Sequence, residues 1–170
     1  MELIPYSQFA KLRLKQFVGK DVEVSETDGW EWMGGYWVNE GVYGFTSFSR
    51  LEDTPEETGG LEIDFVELPA SSARAILDAV RLPLRSGMKL EEVYAVLGEP
   101  KEKDTFGKYV HDRQTDNFEV GSEQSYYVSC TVHNENGLVY LAVLRGDVLS
   151  KIQVKEAAFQ AELEAERSDK

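Results

Sequence analysis

Few side chains in this sequence could perform acid–base or nucleophilic chemistry. Two histidines, His111 and His133, and one cysteine, Cys130, are the candidates for a catalytic base and a nucleophile. A nucleophilic enzyme needs a serine or cysteine held by a histidine and an orienting acid. The sequence has neither a Gly-x-Ser-x-Gly elbow nor the context of a reactive cysteine. It therefore predicts a protein that is not an enzyme, with its histidines on strands or beside turns.

The spacing of residues in the sequence does not favour a metal site or a phosphate-binding site. A zinc site would need side chains that meet across neighbouring strands, namely His111, Asp112, His133 and Glu135. These residues lack the paired-ligand spacing that is typical of zinc sites. The glycines at 34–35 and at 41 and 44 lack the lysine and the following helix of a phosphate-binding loop. We therefore expect no metal and no cofactor.

Negative charge is concentrated in the N-terminal part of the chain. Of a formal net charge of −13, residues 21–67 carry −12, from thirteen acidic side chains against one base, Arg50. Such a field repels nucleic-acid phosphates and anionic lipid, and it speeds association with a basic protein. We expect a basic protein partner, no nucleic acid and no membrane, although the same charge can serve solubility alone. Four acidic residues of one loop are the candidates for this contact: Glu52, Asp53, Glu56 and Glu57.

Aromatic residues are densest in the same region, where they form a cluster of Trp30, Trp32, Tyr36, Trp37, Tyr43, Phe45 and Phe48. Aromatic side chains favour strands and bury large areas, so most of the cluster can be the core of a curved sheet. Exposed tryptophans would instead anchor an interface, and we name Trp30 and Trp32 for that role. A closed pocket within the cluster would favour the alternative function, a small-ligand-binding or sensory domain.

The pattern of elements predicts an α+β fold that begins with an N-terminal β-rich unit, residues 1–68. Apolar spacing over Leu3–Val18 predicts a short amphipathic helix that ends at Gly19. Alternating or aromatic-rich runs at 22–24, 30–38, 42–48 and 61–65 predict strands. The segment Leu51–Gly60, with Pro55 and two final glycines, predicts a mobile acidic loop.

Residues 69–170 form the second predicted unit, which can also belong to one compact domain with the first. Ser71 and Ser72 can cap a helix after Pro69, and a second helix, Leu90–Leu97, is followed by the stop residue Gly98. Strands are predicted near 106–111, 117–120, 126–133 and 138–145, with an Asn-Gly turn between the last two. The result is an antiparallel sheet with a helix–loop–helix packed on one face. A helical tail follows, and it is expected to pack on the sheet through Leu149, Ile152, Phe159 and Leu163.

Two stretches of this second unit carry a family resemblance, Gly87–Val93 (GMKLEEV) and Leu97–Pro100 (LGEP), before the strands and the Asn136-Gly137 turn. Their order resembles the β-lactamase inhibitor protein fold, which is shared by the small lipoprotein of the outer-membrane β-barrel assembly machinery. The resemblance covers residues 70–145. It implies two short helices on one face of an antiparallel sheet, and a protein partner on the other face or its loops.

Three features depart from that family. Lys89 stands where the family pattern has a serine or threonine cap, so the helix start lacks a side-chain acceptor. The lipoprotein has a signal peptide and an acylated cysteine, whereas residues 1–17 contain no continuous apolar segment of signal length. The secreted inhibitors have disulfides, and Cys130 has no second cysteine to pair with. The resemblance thus implies the fold and a function in binding another protein. We expect a cytoplasmic location.

Period-two alternation in the last two strands separates a helix-covered side from an open side. The helix-covered side receives Val128, Cys130, Val132, Val139, Leu141 and Val143. The open side presents our candidates for partner contact, Tyr127, Thr131, His133 and Tyr140. The sequence therefore predicts a non-catalytic protein-binding module of the inhibitor or immunity type.

Overall fold

The computed structural model describes residues 1–19, 30–33, 36–39, 46–51, 56–103 and 112–169, with the backbone alone described between residues 30 and 51. Seven strands of the described chain form one antiparallel sheet in the order β1-β2-β3-β4-β7-β6-β5. These strands are β1 Trp30–Met33, β2 Tyr36–Asn39, β3 Thr46–Leu51, β4 Thr58–Asp64, β5 Arg113–Val120, β6 Tyr126–His133 and β7 Gly137–Arg145.

The α-helices of the described chain are α1 Tyr6–Phe9, α2 Ala70–Val80, α3 Leu90–Leu97 and α4 Gly146–Ser168. Apolar side chains of α2 and α3, such as Ile76 and Val93, share one buried core with inward side chains of the sheet, such as Val128 and Leu141. Burial of this apolar surface is the main favourable contribution to folding. The prediction of an α+β fold, with an antiparallel sheet and a helix–loop–helix on one face, is confirmed.

The sheet runs across the boundary between the two predicted units. Strand β4 of residues 1–68 pairs with β7 of residues 69–170, from Gly60 opposite Leu144 to Asp64 opposite Tyr140. The predicted loop Leu51–Gly60 is shorter than expected, because Leu51 ends β3 and residues 58–60 begin β4. The strand runs predicted at 22–24 and 106–111 lie outside the described residues.

Alternation along β6 is regular, with every second side chain buried from Tyr126 to Val132. A register shift between Thr131 and Val132 brings Leu138 opposite Val132, and Leu138 is fully buried. Val139 is only half-buried as a result, so its assignment to the helix-covered side is wrong. Bulges of this kind cannot be read from alternation, because one extra residue reverses the face of those beyond it.

The prediction of one helix over Leu3–Val18 is wrong. The chain forms only α1 and a 3₁₀ turn at Leu14–Gln16, and Arg13 between them is extended, with φ −136° and ψ 136°. The Arg13 guanidinium donates hydrogen bonds of 2.8 Å to the carbonyl oxygens of Ala10 and Leu12. The same guanidinium donates to the Thr58 hydroxyl at 3.0 Å and to the Glu56 carbonyl oxygen. These tertiary contacts at Arg13 override a weak helical propensity.

The start of α2 differs from the prediction. Pro69 occupies the N-cap position without a side-chain hydrogen bond, and Ser71 and Ser72 lie inside the helix, so the prediction that they cap it is wrong. Proline has no N–H and a fixed φ, which suits it to a helix start. The helix ends at Val80, where Arg81 adopts the left-handed conformation with φ 64° and ψ 38°.

Helix α3 has the predicted bounds, Leu90–Leu97. Its start has an acceptor after all, because the Glu92 carboxylate accepts a 3.4 Å hydrogen bond from the Lys89 backbone N–H. Gly98 follows the helix with φ 83° and ψ −159°. The prediction that Gly98 ends the helix is confirmed, but the expected left-handed helical conformation is wrong, because ψ places Gly98 in a region that is almost restricted to glycine.

The turn between β6 and β7 packs against the loop that precedes α3. The Gly87 N–H donates to the Leu138 carbonyl at 3.0 Å, and the Leu138 N–H donates to the Met88 carbonyl at 2.8 Å. Gly137 has φ 75°, and a Cβ at this position would lie 2.2 Å from the Gly87 carbonyl oxygen. Glycine at 137 is therefore what allows α3 to be held against this end of the sheet.

Helix α4 follows β7 directly and packs through its first two turns. Val148 and Ile152 are buried against Leu144, whose side chain points away from α2 and α3. Most of the remaining length is exposed, although Leu163 is half-buried, and Phe159 is 57% exposed. The expectation that Phe159 also packs on the sheet is therefore wrong.

Candidate functional site

The face of β5, β6 and β7 that points away from α2 and α3 is called the open face here. The antiparallel register aligns its side chains in three rows: Thr115–Thr131–Tyr140, Asn117–Ser129–Ala142 and Glu119–Tyr127–Leu144. Strand β4 extends the first row with Asp64 and the second with Glu62. The pairing of four strands therefore places residues distant in sequence on one surface.

Three of the predicted contact residues come together on this open face. Tyr127, Thr131 and Tyr140 are all half-buried, and the Thr131 and Thr115 hydroxyl groups are hydrogen-bonded at 2.9 Å. Tyrosine combines a rigid apolar ring with a polar tip, which makes it suited to protein interfaces. The small side chains of Ser129 and Ala142 occupy the middle row between the two tyrosines.

Tyr127 lies at the end of the open face that α4 approaches. Together with Glu119 it lines a cleft of about 310 Å³ whose other wall includes Leu149 and Gln153 of α4. Burial raises the pKa of Tyr127, and the neighbouring Glu102 carboxylate raises it further. The phenol is therefore protonated at neutral pH, and its O–H is engaged with the Glu102 carboxylate, which leaves the ring as the part of Tyr127 that a partner can contact.

His133 has a structural task that the sequence did not indicate. Its Nδ1 accepts hydrogen bonds from the backbone N–H groups of Glu135 and Asn136, each at 3.1 Å, while its Nε2 lies 3.2 Å from Asp112 Oδ2. This arrangement requires the tautomer with the proton on Nε2. The Arg113 guanidinium, with a smaller contribution from His133, lowers the pKa of Asp112. His133 therefore fastens the β6–β7 turn, and its side chain is only 15% exposed.

Carboxylates border the open face. Glu62, Glu102 and Glu119 are exposed, and Asp64 is half-buried. Glu119 forms an ion pair with Lys101, and the Asp64 carboxylate accepts a 2.9 Å hydrogen bond from a backbone N–H. Acidic groups therefore outnumber basic ones along this border, which makes the local potential negative.

The predicted acidic loop is described only in part, since Glu52 and Asp53 lie outside the described residues. The backbone carbonyl of Glu56, an exposed residue, accepts a hydrogen bond from Arg13. The Glu57 carboxylate lies 3.4 Å from the guanidinium of Arg145. Glu57 is thus engaged within the protein, while the Glu56 side chain is available at the surface.

Arg145 is a residue that sequence reasoning missed. Its side chain is only 9% exposed, yet it pairs with Asp147 and Glu57 and lies over the Tyr6 ring, 4.8 Å from the ring centre. Burial by itself would lower the pKa of Arg145, but the contacts with Asp147 and Glu57 outweigh it and the pKa is raised. The sequence could have predicted this role, because alternation along β7 directs the Arg145 side chain to the buried side. Asp147, in the first turn of the next helix, is close enough in sequence to pair with it.

A second missed group is a buried carboxylate on the helix-covered side. Asp116 is fully buried, and it accepts hydrogen bonds from the Tyr94 hydroxyl and, at 2.8 Å, from the Gln114 side chain. Burial and this carboxylate raise the pKa of Tyr94 to about 12. Burial, with Asp116 nearby, also raises the pKa of Cys130 to about 12. The prediction of a buried, inert thiol at Cys130 is confirmed as to burial, and its high pKa disfavours the reactive thiolate.

Trp30 and Trp32 lie on β1, the strand at one end of the described sheet order. In the pairing with β2, Trp30 is opposite Asn39 and Trp32 is opposite Trp37. The side chains of these two tryptophans lie outside what the structure describes. Their assignment to the core, to an interface or to a ligand pocket therefore stays a prediction.

Side chains of the types that can bind metals are dispersed in the described part of the chain. No group of three or more His, Cys, Asp or Glu side chains there could hold a metal ion. His111, one of the four conceivable zinc ligands, lies outside that part. Of the described helices, none is both long and apolar enough to span a membrane.

No protein-family model, no curated protein and no solved structure matches this chain significantly.

Proposed function

We propose that this chain is a non-catalytic protein-binding module, of the inhibitor or immunity type, and that its open face binds a basic protein partner. The observation that carries the proposal is the pair of half-buried tyrosines, Tyr127 and Tyr140, on the sheet face opposite α2 and α3. Such anchors supply much of the binding free energy in protein interfaces.

Shape and charge both support this use of the open face. Ser129 and Ala142 lie between the tyrosine rows, so a partner's side chains can approach the backbone of the sheet there. The bordering carboxylates, including Glu62 and Glu119, would attract a basic partner over a distance and speed its association. Aromatic anchors with polar side chains around them are a common arrangement in protein interfaces.

The resemblance of residues 70–145 to the β-lactamase inhibitor protein fold supports the same use of the sheet. Two helices followed by antiparallel strands, as in α2, α3 and β5–β7, is the order which that resemblance implies. A cytoplasmic location is part of the proposal, because Cys130 is a free thiol and disulfides are rare in reducing compartments. Cell fractionation followed by immunoblotting tests that part directly.

The open face is tested by a matched pair of substitutions. Ala142→Arg places a long cation at the centre of the open face, whereas Ala95→Arg places the same side chain on an exposed position of α3. Each variant and the native protein would be immobilised for quantitative affinity capture from the native cell extract, after circular dichroism has shown equal folding.

The expected result is a basic protein that the native chain and the Ala95→Arg variant retain and the Ala142→Arg variant loses. Elution of this protein should begin at moderate salt, since screening weakens attraction between exposed charges. A partner that both variants retain equally would show that binding does not use the open face. If no captured protein differs between the native chain and the Ala142→Arg variant, the proposed function is wrong.

A further inference from the structure

A cleft on the helix side of the molecule is unconnected with the open face. It has a volume of about 680 Å³ and is bounded by α2, the loop 82–88 and α3. We call it the helix cleft. Its apolar lining includes Phe65, Leu77, Leu82, Leu84, Met88 and Val96. Cavities that bind small molecules commonly have volumes of about 300–1,000 Å³ and mostly apolar walls.

Two arginines make this cleft unusual in so acidic a chain. Arg74 of α2 and Arg85 of the following loop both line it, and both are exposed. Within the described part of the chain, neither guanidinium takes part in an ion pair. One carboxylate, that of Asp78, also lines the cleft, so the described charged groups around it sum to one positive charge.

The combination of apolar walls and arginines specifies a class of ligand. An apolar chain gains free energy by leaving water for the walls of the cleft. A carboxylate or phosphate group is the natural partner of a guanidinium, which offers it two parallel N–H donors. A cation would gain the apolar contact but would be repelled by the arginines.

We propose that the helix cleft binds an amphipathic anion, a single apolar chain that ends in a carboxylate or a phosphate. The apolar chain lies along the walls formed by α2 and the loop 82–88, and the anionic group is held by Arg74 and Arg85. This site is distinct from the open face, so a ligand here and a protein partner there can be bound together.

The probes are decanoate and decyl phosphate, titrated below their micelle concentrations by isothermal calorimetry. Decylammonium and decanol, which have the same chain, serve as cationic and neutral controls. Saturable binding of one anion per chain is expected, at least tenfold tighter than binding of decylammonium. The two anionic probes distinguish the head groups, because the one that binds more tightly identifies the chemistry for which the arginines are placed.

Three variants test the role of the arginines. Arg74→Gln and Arg85→Gln should each weaken anion binding at least fivefold and leave decanol binding unchanged. Arg81→Gln is the matched control, because Arg81 is exposed, follows α2 directly and does not line the cleft. All three changes remove an exposed positive charge, so a non-specific effect of net charge would appear equally in each.

Equal affinity for decanoate and decylammonium would overturn the proposal. So would a loss of affinity in the Arg81→Gln variant that matches the loss in the other two, or the absence of saturable binding to either anion. The Ala142→Arg variant should bind the probes with native affinity, because it changes only the open face.

Discussion

The close contact between two backbone segments at Gly137 leads to a quantitative prediction for the variant Gly137→Ala. A methyl group at this position would lie 2.2 Å from the Gly87 carbonyl oxygen and 2.8 Å from the Met88 carbonyl oxygen. Real Cβ contacts are never so short, so the loop before α3 must move away from β7. That movement would break the two backbone hydrogen bonds that Leu138 makes with Gly87 and Met88.

The size of the effect follows from two contributions. A residue other than glycine at φ 75° costs about 1–2 kcal/mol in backbone strain. Each of the two backbone hydrogen bonds contributes about 1 kcal/mol to net stability. Gly137→Ala should therefore lower the free energy of unfolding by about 3–4 kcal/mol. For a chain of this size, that corresponds to a decrease in Tm of about 10 °C.

The assay is urea unfolding and thermal unfolding followed by circular dichroism, with two other glycines as controls. A Cβ at Gly98 meets nothing within 4 Å but has the unfavourable φ of 83°, so Gly98→Ala should cost only the backbone strain, about 2 kcal/mol. Gly19 has open space around it and no positive φ, so Gly19→Ala should change stability by less than about 0.5 kcal/mol.

The order of the three variants is the decisive result. If Gly137→Ala is no more destabilising than Gly98→Ala, then the contact with Gly87 does not constrain the fold and the reasoning from the close approach is wrong. If all three variants are equally stable, positive φ itself has no cost at these sites, which would also contradict the assignment of Gly98 as the residue that ends α3.

Four further predictions concern side chains. His133→Ala should lower stability by about 1–2 kcal/mol in urea unfolding, because two turn N–H groups lose their acceptor. Burial and Asp116 raise the pKa of Tyr94 from 10.0 to about 12, so the unfolded chain loses this proton first. The stabilisation from Tyr94 is therefore complete below pH 10 and is lost as the pH rises through 12, and Tyr94→Phe should weaken this dependence in unfolding curves, the remainder coming from groups such as Cys130 and Tyr127 whose pKa is also raised. Cys130 should not react with a thiol reagent at pH 8 until the protein unfolds. The association rate with the captured partner should fall steeply with salt in stopped-flow experiments, and Glu62→Gln should lower it at low salt.

Elements with strong local signals were predictable from the sequence. Helix α3 has the predicted bounds because an apolar face, a first-turn acid pair and the stop at Gly98 all agree. The turn before Gly137 was predictable for the same reason, since a glycine with positive φ is needed there. Local preference and tertiary structure coincide at these positions, so no information from the rest of the fold is required.

Elements decided by tertiary contacts were not predictable. The segment from Tyr6 to Gln16 has helical spacing, but Arg13 is extended, and its guanidinium donates hydrogen bonds to the Ala10 carbonyl and to the Glu56 carbonyl of a distant segment. The inward position of Leu138 depends on a bulge that alternation does not show. His133 was predicted to contact a partner because alternation along β6 places it on the open face. Its two ring nitrogens instead interact with the β6–β7 turn and with Asp112.

The two proposed sites share a structural support at the Gly87–Gly137 contact. Met88 lines the helix cleft, and its carbonyl oxygen accepts the hydrogen bond from Leu138, two residues before Tyr140 on the open face. A variant that separates these segments would move a wall of the helix cleft and the start of β7 together. Loss of both binding activities in Gly137→Ala would therefore reflect the common support and would not show that the sites are coupled. Ala142→Arg and Arg74→Gln each alter one site without touching that support, so an effect of either variant on the other site would be the evidence for coupling.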